Sequence, residues 1–350
     1  MTEQSPLQLH PSMTVQSPLQ LHPSMTVQIP ALALPGFRTS YAVQQGIEKN
    51  LILKTWGGLG DQICAEPTLR FALKAFKGCD VSLASEHPEL FRHLPFKNVY
   101  DLKKVQPLWE NYFPFDTIRP PSDIQWQFMS HMLVNCVDYP SLCAFRMQLP
   151  VADREVLLVP SREDYNHVIE IPGLALDNSI AVHAGRHWPS KTFPKEFWDE
   201  VLFTISRCGF VPVLIGANTD DNRGTVDVDT TGCLDLRNKL SIMQSVALLQ
   251  AVPALLTNDS APLHMAASAD THIGFVATCK HPDLITHWRG GRWGRNMKNF
   301  GRGGIWDVLD FCPNKESEVS AEFVPEDLLK SWLPDPKTFA GWAVACAEGD

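Results

Sequence analysis

Residues 51–76 read LILKTWGGLGDQICAEPTLRFALKAF and contain three successive structural signals. An apolar run from Leu51 to Thr55 enters a glycine-rich turn, and a helical pattern follows from Gln62 to Phe76. This order predicts a strand, a sharp turn and a helix. Glycines let the backbone approach a ligand closely, and the start of a helix favours negative charge. The stretch therefore predicts one unit of an α/β fold with a ligand site at its turn.

The same alternation of strands and helices continues along the chain. Alternating elements are typical of a parallel sheet that is covered by helices on both faces. In the first half we predict strands at 80–84 and 99–102 around a short helix at 88–94. In the second half we predict strands at 180–183, 211–215, 254–257 and 273–277, a polar stretch with Leu234-Asp235-Leu236 after the second of them, and helices at 194–208, 241–251 and 262–269.

Two such series predict a bilobed protein of two Rossmann-like domains with its site in the cleft between them. A chain of 350 residues has room for two ordinary domains. We predict an N-terminal domain over residues 47–170 and a C-terminal domain over residues 171–335, flanked by a leader at 1–46 and a tail at 336–350. One large doubly wound domain is the alternative.

The bulk composition narrows the classes of function. A net charge of −9 argues against general coating of nucleic acid, although it does not exclude a local basic groove. The nine cysteines are scattered and never form C-x-x-C, which predicts a reduced, cytoplasmic protein. No apolar run approaches the roughly 18 residues that a membrane span needs.

The N-terminal leader contains a tandem duplication. The sequence QSPLQLHPSMTV fills residues 4–15 and is repeated at residues 16–27. Two proline-rich copies are too few to stack into a solenoid, so we predict a loosely packed leader. A short tail that binds a partner is the alternative.

Asp61 ends the glycine-rich turn Gly57-Gly58-Leu59-Gly60-Asp61 and has two interpretations. The turn does not fit G-x-G-x-x-G, because Ile63 stands where the third glycine is needed, so a nicotinamide dinucleotide site is poorly supported. A carboxylate in the first turn of a helix often caps that helix. It can also act as a general base that removes a proton from an acceptor hydroxyl.

Two further turns combine small residues with groups that suit an anion. The stretch HAGRHWPSKTFP (183–194) follows a predicted strand, and Lys191 in it would suit a diphosphate leaving group. An ordinary surface lysine is the alternative, and Arg186, His187 and Ser190 are secondary candidates. The stretch TNDSAPLH (257–264) ends another strand, and free N–H groups at the start of its helix, with the Ser260 hydroxyl, would form an anion cradle. In this stretch Asp259 could simply cap the helix, and His264 could be a packed histidine or could face the phosphates.

These elements in this order resemble the ADP-heptose:lipopolysaccharide heptosyltransferases, glycosyltransferase family 9. The similarity spans roughly residues 50–330. It rests on five matched elements of the sequence, namely GGLGDQICAEP, HAGRHWPSKTFP, VPVLIGA, the pair Leu240-Ser241 and DSAPLHMAA.

The resemblance implies a GT-B architecture and an inverting sugar transfer without a metal ion or other cofactor. Asp61 would be the catalytic base, and the co-substrate would be a nucleotide-diphosphate sugar. The formal D-x-D at Asp227-Val228-Asp229 lacks the context of a metal-using glycosyltransferase. Under the resemblance the donor would be bound by Gly60, His183, Gly185, Lys191, Gly216, Asp259, Ser260, Ala261 and His264.

Two departures from the family pattern concern the donor. Ala261 stands where the family has a glycine after Asp-Ser/Thr, which permits less backbone freedom near phosphate. Met243 stands where heptosyltransferases can carry a glutamate that meets the nucleotide ribose. The reaction class follows from the resemblance, whereas a heptose donor does not.

Residues 288–306 read WRGGRWGRNMKNFGRGGIW and are basic in an otherwise acidic protein. Cations interleaved with aromatics could follow an anionic acceptor, such as phosphorylated lipopolysaccharide core or nucleic acid, through Arg289, Arg292 and Arg295. A solvated loop that folds over the donor diphosphate is the equal alternative.

Three functions remain open at this point. The family default is transfer to a glycan acceptor, with contact to a membrane surface only through a lipid-linked acceptor. Transfer to nucleic acid or a modified base is the second. The third is a protein that binds a nucleotide sugar without turnover, although such a sensor would not need the base Asp61.

Overall fold

The structure is a computed structural model that describes residues 50–104, 113–116, 154–217, 224–278, 282–286, 296–303 and 323–349. The predicted leader with its tandem repeat lies outside these residues, as do Arg289, Arg292 and Arg295. Within the described residues, no helix is long and apolar enough to cross a membrane.

The first domain is a parallel sheet in the order β3-β2-β1-β4. Its central strand, β1, pairs with β2 from Leu51 opposite Val81 to Thr55 opposite Ser85. Helix α1 follows β1 directly after the glycine-rich turn. The elements are β1 (Asn50–Thr55), α1 (Leu59–Ala75), β2 (Asp80–Ser85), a 3₁₀ helix (Pro88–Phe91), β3 (Val99–Asp101), a 3₁₀ helix (Leu102–Lys104) and β4 (Phe113–Asp116).

The second domain is a six-stranded parallel sheet in the order β12-β11-β10-β5-β7-β9. An antiparallel pair of short strands, β6 and β8, lies beside it. The strands are β5 (Ser179–His183), β6 (Gly185–Arg186), β7 (Val211–Leu214), β8 (Gly224–Thr225), β9 (Leu234–Asp235), β10 (Ala254–Asn258), β11 (His272–Val276) and β12 (Met297–Asn299). The helices are α2 (Arg162–Ile169), α3 (Lys195–Arg207), α4 (Ile242–Ala251), α5 (Ala261–Met265), α6 (Pro282–Ile285), α7 (Glu326–Trp332) and α8 (Pro336–Glu348), with 3₁₀ helices at Leu176–Asn178, Pro189–Lys191 and Ala266–Ser268.

The second sheet buries both of its faces, as the continuous apolar runs of its strands require. Successive residues of β10 show this, because Leu256 packs into one apolar cluster and Leu255 into the other. Helices α3 and α8 cover the face that carries Leu256, and Trp198 and Phe339 are fully buried there.

The other face shares a single apolar cluster with the first domain. Leu51 and Leu53 of β1 belong to it together with Leu255 and Leu263 of the second domain. The segment 154–161, which has no regular secondary structure, joins the two domains, and Val156 and Leu158 from it are buried in the same cluster. The domains therefore meet through a continuous packed core.

The predicted fold class is confirmed: the protein is α/β, with two parallel sheets in Rossmann-like domains. Three details differ from the sequence-based expectations. Helix α2, which the predicted boundary at residue 170 placed in the first domain, packs against α4 of the second domain. Helix α1 begins at Leu59, three residues before the predicted start, so Asp61 lies within its first turn. The predicted C-terminal tail contains helix α8, whose Phe339 and Ala343 are fully buried against the second domain. The tail is therefore corrected to a packed element of that domain.

Candidate active site

Asp61 is the third residue of helix α1, and its carboxylate caps that helix. Its Oδ2 accepts a hydrogen bond from the Gly58 backbone N–H at 3.1 Å, which satisfies a donor that the helix leaves unpaired. The side chain is partly exposed, and Oδ1 has no hydrogen-bond partner among the described residues. The capping interpretation is thus correct in geometry, and the second oxygen is left available for proton transfer.

Buried polar groups that the sequence analysis missed fix the Asp61 turn (residues 56–61). Gln62 is fully buried; its Nε2 donates to the Gly57 carbonyl at 3.0 Å, and its Oε1 accepts from Ser85 Oγ at 2.7 Å. The Gly57 N–H donates to Glu86 Oε2 at 3.1 Å, and Gly57 has the positive φ of 101° that favours glycine. These bonds tie the turn to the end of strand β2.

His264 lies at the contact between the two domains. Its Nδ1 is 3.3 Å from Cys64 Sγ of helix α1, and both side chains are buried. A Cβ on Gly60 would come within 2.9 Å of His264 Cδ2 and 3.8 Å of Ala261 Cα. The predicted residues Gly60, Ala261 and His264 therefore come together, with the imidazole packed against the Asp61 turn.

Lys191 and Asp259 form a buried ion pair. Lys191 Nζ is 2.6 Å from Asp259 Oδ2, and the two side chains are 12% and 5% exposed. The ammonium also lies 4.8 Å from the centre of the Trp188 ring, a cation–π distance. The interpretation of Asp259 as the cap of α5 is wrong, because the residue at the cap position is Ser260. Lys191 is likewise no ordinary surface lysine, because its side chain is largely buried. Burying an ammonium group is costly unless an opposite charge such as Asp259 pairs with it.

His183 is buried beneath these residues. Its Nδ1 lies 3.0 Å from Ser260 Oγ, which is in turn 3.1 Å from Thr257 Oγ1. Burial lowers the pKa of His183 to about 4, against a smaller raising effect from Asn258, so the imidazole is neutral at pH 7. A neutral imidazole has one donor and one acceptor nitrogen, which suits a chain of hydroxyl groups.

Gly185 and Gly216 pack against this histidine. A Cβ on Gly216 would lie 2.9 Å from His183 Cδ2, and φ there is +125°. A Cβ on Gly185 would lie 2.7 Å from His183 Cε1 and 2.4 Å from Asn258 Oδ1. Gly185 and Gly216, which were both predicted to bind the donor, thus leave room for the buried side chains of His183 and Asn258.

The Asp227-Val228-Asp229 stretch leads into a turn at residues 231–232. The Asp229 carboxylate accepts from the Thr231 N–H at 2.9 Å, and its own N–H donates to Asp199 Oδ1 at 2.8 Å. Over the part of the chain that the structure describes, no group of three or more His, Cys, Asp or Glu side chains could hold a metal ion.

Comparison with known proteins locates the family resemblance. Residues 157–274 match the family model of glycosyltransferase family 9 (heptosyltransferase), a range that contains Lys191, Asp259 and His264. A search of curated proteins finds no match.

Solved structures of low sequence identity share the fold. E. coli ADP-heptose lps heptosyltransferase II is 13% identical, with a TM-score of 0.53, 86% of this chain covered and 100% of that chain. The glycosyl transferase family 9 protein of Veillonella parvula is 14% identical, with a TM-score of 0.53 and coverages of 84% and 98%. The dodecameric iron-containing heptosyltransferase TibC, from enterotoxigenic E. coli, in complex with ADP-D-β-D-heptose, is 12% identical, with a TM-score of 0.59 and coverages of 86% and 78%.

The resemblance predicted from the sequence motifs is confirmed by these matches. It covers residues 157–274, a part of the second domain, by sequence and both domains by fold. Residues 157–274 thus resemble glycosyltransferase family 9 in sequence, and the two domains have the same fold as solved structures of that family.

Proposed function

We propose that this protein is an inverting glycosyltransferase that moves a sugar from a nucleotide-diphosphate donor to a hydroxyl group of a lipopolysaccharide-type glycan. One observation carries the proposal. The Asp61 turn of the first domain is packed through Gly60 onto the second-domain helix that follows Asp259 and Ser260. A candidate base and a candidate diphosphate site therefore face each other across one domain contact.

In the proposed reaction, Asp61 accepts the proton of the attacking hydroxyl group. The hydroxyl oxygen forms a bond to the anomeric carbon while the bond from that carbon to the diphosphate oxygen breaks on the opposite face. The diphosphate leaves with the electron pair. The Gly58 N–H bond to Asp61 Oδ2 keeps the carboxylate oriented during this transfer.

Lys191 supplies positive charge where negative charge grows on the leaving diphosphate. In the structure its ammonium is paired with Asp259 at 2.6 Å. We infer that a bound diphosphate shares or replaces this carboxylate as the partner of Lys191. Asp259 then keeps Lys191 charged and oriented before the donor binds.

From the sequence resemblance we further propose that the transfer inverts the anomeric carbon and needs no metal ion. Ser260, Ala261 and Gly216 would bind the donor. The related protein TibC is described as iron-containing, so dependence on metal is part of the test. A nucleic-acid acceptor stays a prediction, since Arg289, Arg292 and Arg295 lie outside the described residues.

The experiment measures sugar transfer and nucleotide binding for Asp61→Asn with a panel of nucleotide sugars and glycan acceptors, with and without chelator. The asparagine oxygen can still accept from Gly58, so the helix cap is kept. We expect turnover to fall by roughly 10²- to 10⁴-fold with little change in donor affinity, because a general base acts on the transition state.

Asp164→Asn is the matched control. Asp164 is also the third residue of a helix, α2, and accepts from the Ser161 N–H at 2.8 Å. Turnover in this control should equal that of the wild type. Equal turnover in Asp61→Asn and the wild type would contradict the proposed base. Donor binding by the wild type with no transfer to any acceptor would favour the nucleotide-sugar sensor.

A further inference from the structure

Asn258 ends strand β10 and is 1% exposed. Its Nδ2 donates to the Gly185 carbonyl at 3.0 Å and to the Lys191 carbonyl at 2.6 Å. We propose that Asn258 is a positioning residue that fixes the Lys191 loop (residues 184–192) in the shape in which Lys191 meets the donor diphosphate. This inference rests on the proposed function.

The chemistry of the side chain explains why an asparagine stands here. A primary amide carries two N–H donors on one nitrogen, so it can bridge two carbonyl groups at once. Serine offers one donor and aspartate offers none. The two carbonyls determine which way the amide points, because the flipped amide would set its oxygen against both carbonyl oxygens.

The bridged carbonyls lie near the beginning and the end of the Lys191 loop. Gly185 makes this possible, because any Cβ there would lie 2.4 Å from Asn258 Oδ1. The next residue along the chain, Asp259, holds the Lys191 ammonium at 2.6 Å. Two consecutive residues thus hold Lys191, one by its backbone and one by its side chain.

Other hydrogen bonds within the loop and to it make changes in its structure measurable by hydrogen exchange. The Lys191 N–H donates to the Trp188 carbonyl at 2.9 Å, and the His187 N–H donates to Thr192 Oγ1 at 3.2 Å. Thr278 Oγ1 also donates to the Ser190 carbonyl. The Lys191 and His187 N–H groups exchange slowly with solvent only while the loop keeps its shape.

The first test is hydrogen exchange, read by mass spectrometry on peptides that cover residues 184–192, for the wild type, Asn258→Ala and Asn299→Ala. Asn299 is the matched control: it ends β12 of the same sheet, and its Oδ1 accepts from the Ala277 and Gly301 N–H groups, each at 3.1 Å. We expect faster exchange in the loop for Asn258→Ala alone. Thermal unfolding of both variants shows whether they fold.

The second test is nucleotide affinity, measured by calorimetry with ADP, UDP and GDP. We expect Asn258→Ala to raise the dissociation constant about tenfold, because two buried hydrogen bonds are lost, and Asn299→Ala to leave it unchanged. The nearly isosteric Asn258→Asp should weaken binding further at pH 8, because its carboxylate repels both carbonyl oxygens.

Unchanged exchange of residues 184–192 in Asn258→Ala would overturn the proposal. Faster exchange with unchanged nucleotide affinity would overturn it as well, because the loop shape would then not matter for binding. A wild-type protein that binds none of the three nucleotides contradicts the proposed function instead. In that case the exchange comparison alone decides whether Asn258 fixes the loop.

Discussion

At the residue scale, the buried histidine beneath the site makes stability depend on pH. His183 has a pKa of about 4 in the folded protein, against an ordinary value of 6.5. Between these pH values the unfolded chain binds more protons, so stability rises with pH there and is lost as the pH falls from 6.5 towards 4. We expect His183→Gln to remove up to about 1.4 kcal/mol per pH unit of this slope.

The measurement is urea unfolding at several pH values between 4.5 and 7. His167→Gln serves as the control, because His167 is exposed on helix α2. That variant should keep the slope of the wild type. A His183→Gln protein with the wild-type slope would show that another group is responsible for the acid sensitivity.

Residue types explain which site residues could be predicted from the sequence. Asp61 and Lys191 were identified because a carboxylate and an ammonium each suit a definite step of sugar transfer. Gln62 and Asn258 were not singled out, since an amide has no charge to suggest a role. Their partners, the Gly57 and Lys191 carbonyls, become neighbours only through the tertiary fold.

At the element scale, the start of helix α1 is packed too closely for any side chain at Gly60. A Cβ there would lie 2.9 Å from His264 Cδ2, below normal contact, so the helix or the imidazole must shift. We expect Gly60→Ala to lower the free energy of unfolding by about 1–3 kcal/mol, the usual effect of overpacking. It should also reduce transfer, since Asp61 is the next residue.

Gly341→Ala is the control for this prediction. Gly341 lies inside helix α8, and a Cβ there would meet no atom within 4 Å. Alanine favours the helix, so this variant should gain about 0.5–1 kcal/mol. Chemical denaturation measures both changes. A Gly60→Ala protein as stable as the wild type would contradict the tight contact.

The elements themselves could be predicted well where burial dictates the sequence. Strands β5 and β10 are buried along their whole length, and each has an apolar centre, at 180–182 and at 254–256. The predicted start of α1 is three residues too late because Gly58 and Gly60 are poor helix residues, and the contact with His264 that requires Gly60 is not visible in the sequence. Helix α8 is not predicted from the sequence, because its apolar face becomes recognisable as a packing surface only when α3 lies against it.

At the scale of the whole molecule, the contact between Cys64 and His264 reports whether the domains are together. The thiol is 3% exposed, whereas Cys208 is exposed at the end of α3. We expect a thiol reagent to modify Cys64 at least about tenfold more slowly than Cys208, because Cys64 must wait for the contact to open. His264→Ala should speed modification of Cys64 and leave Cys208 unchanged.

Peptide mapping by mass spectrometry follows both cysteines in the same sample, so Cys208 is an internal control. Equal rates at the two thiols in the wild type would contradict a closed contact. Equal rates for Cys64 in His264→Ala and the wild type would show that the imidazole does not hold the domains together.

The segment that joins the domains is bonded to both of them. The Leu157 N–H donates to Glu66 Oε2 of α1 at 3.0 Å, and the Leu158 carbonyl accepts from Gln250 Nε2 of α4 at 3.0 Å. Neighbouring side chains complete one apolar cluster that runs through both sheets. We therefore expect that a chimera of this first domain and a relative's second domain folds only if the contact between the domains is kept. The transferred part would have to include the joining segment and the helix faces around Cys64 and His264.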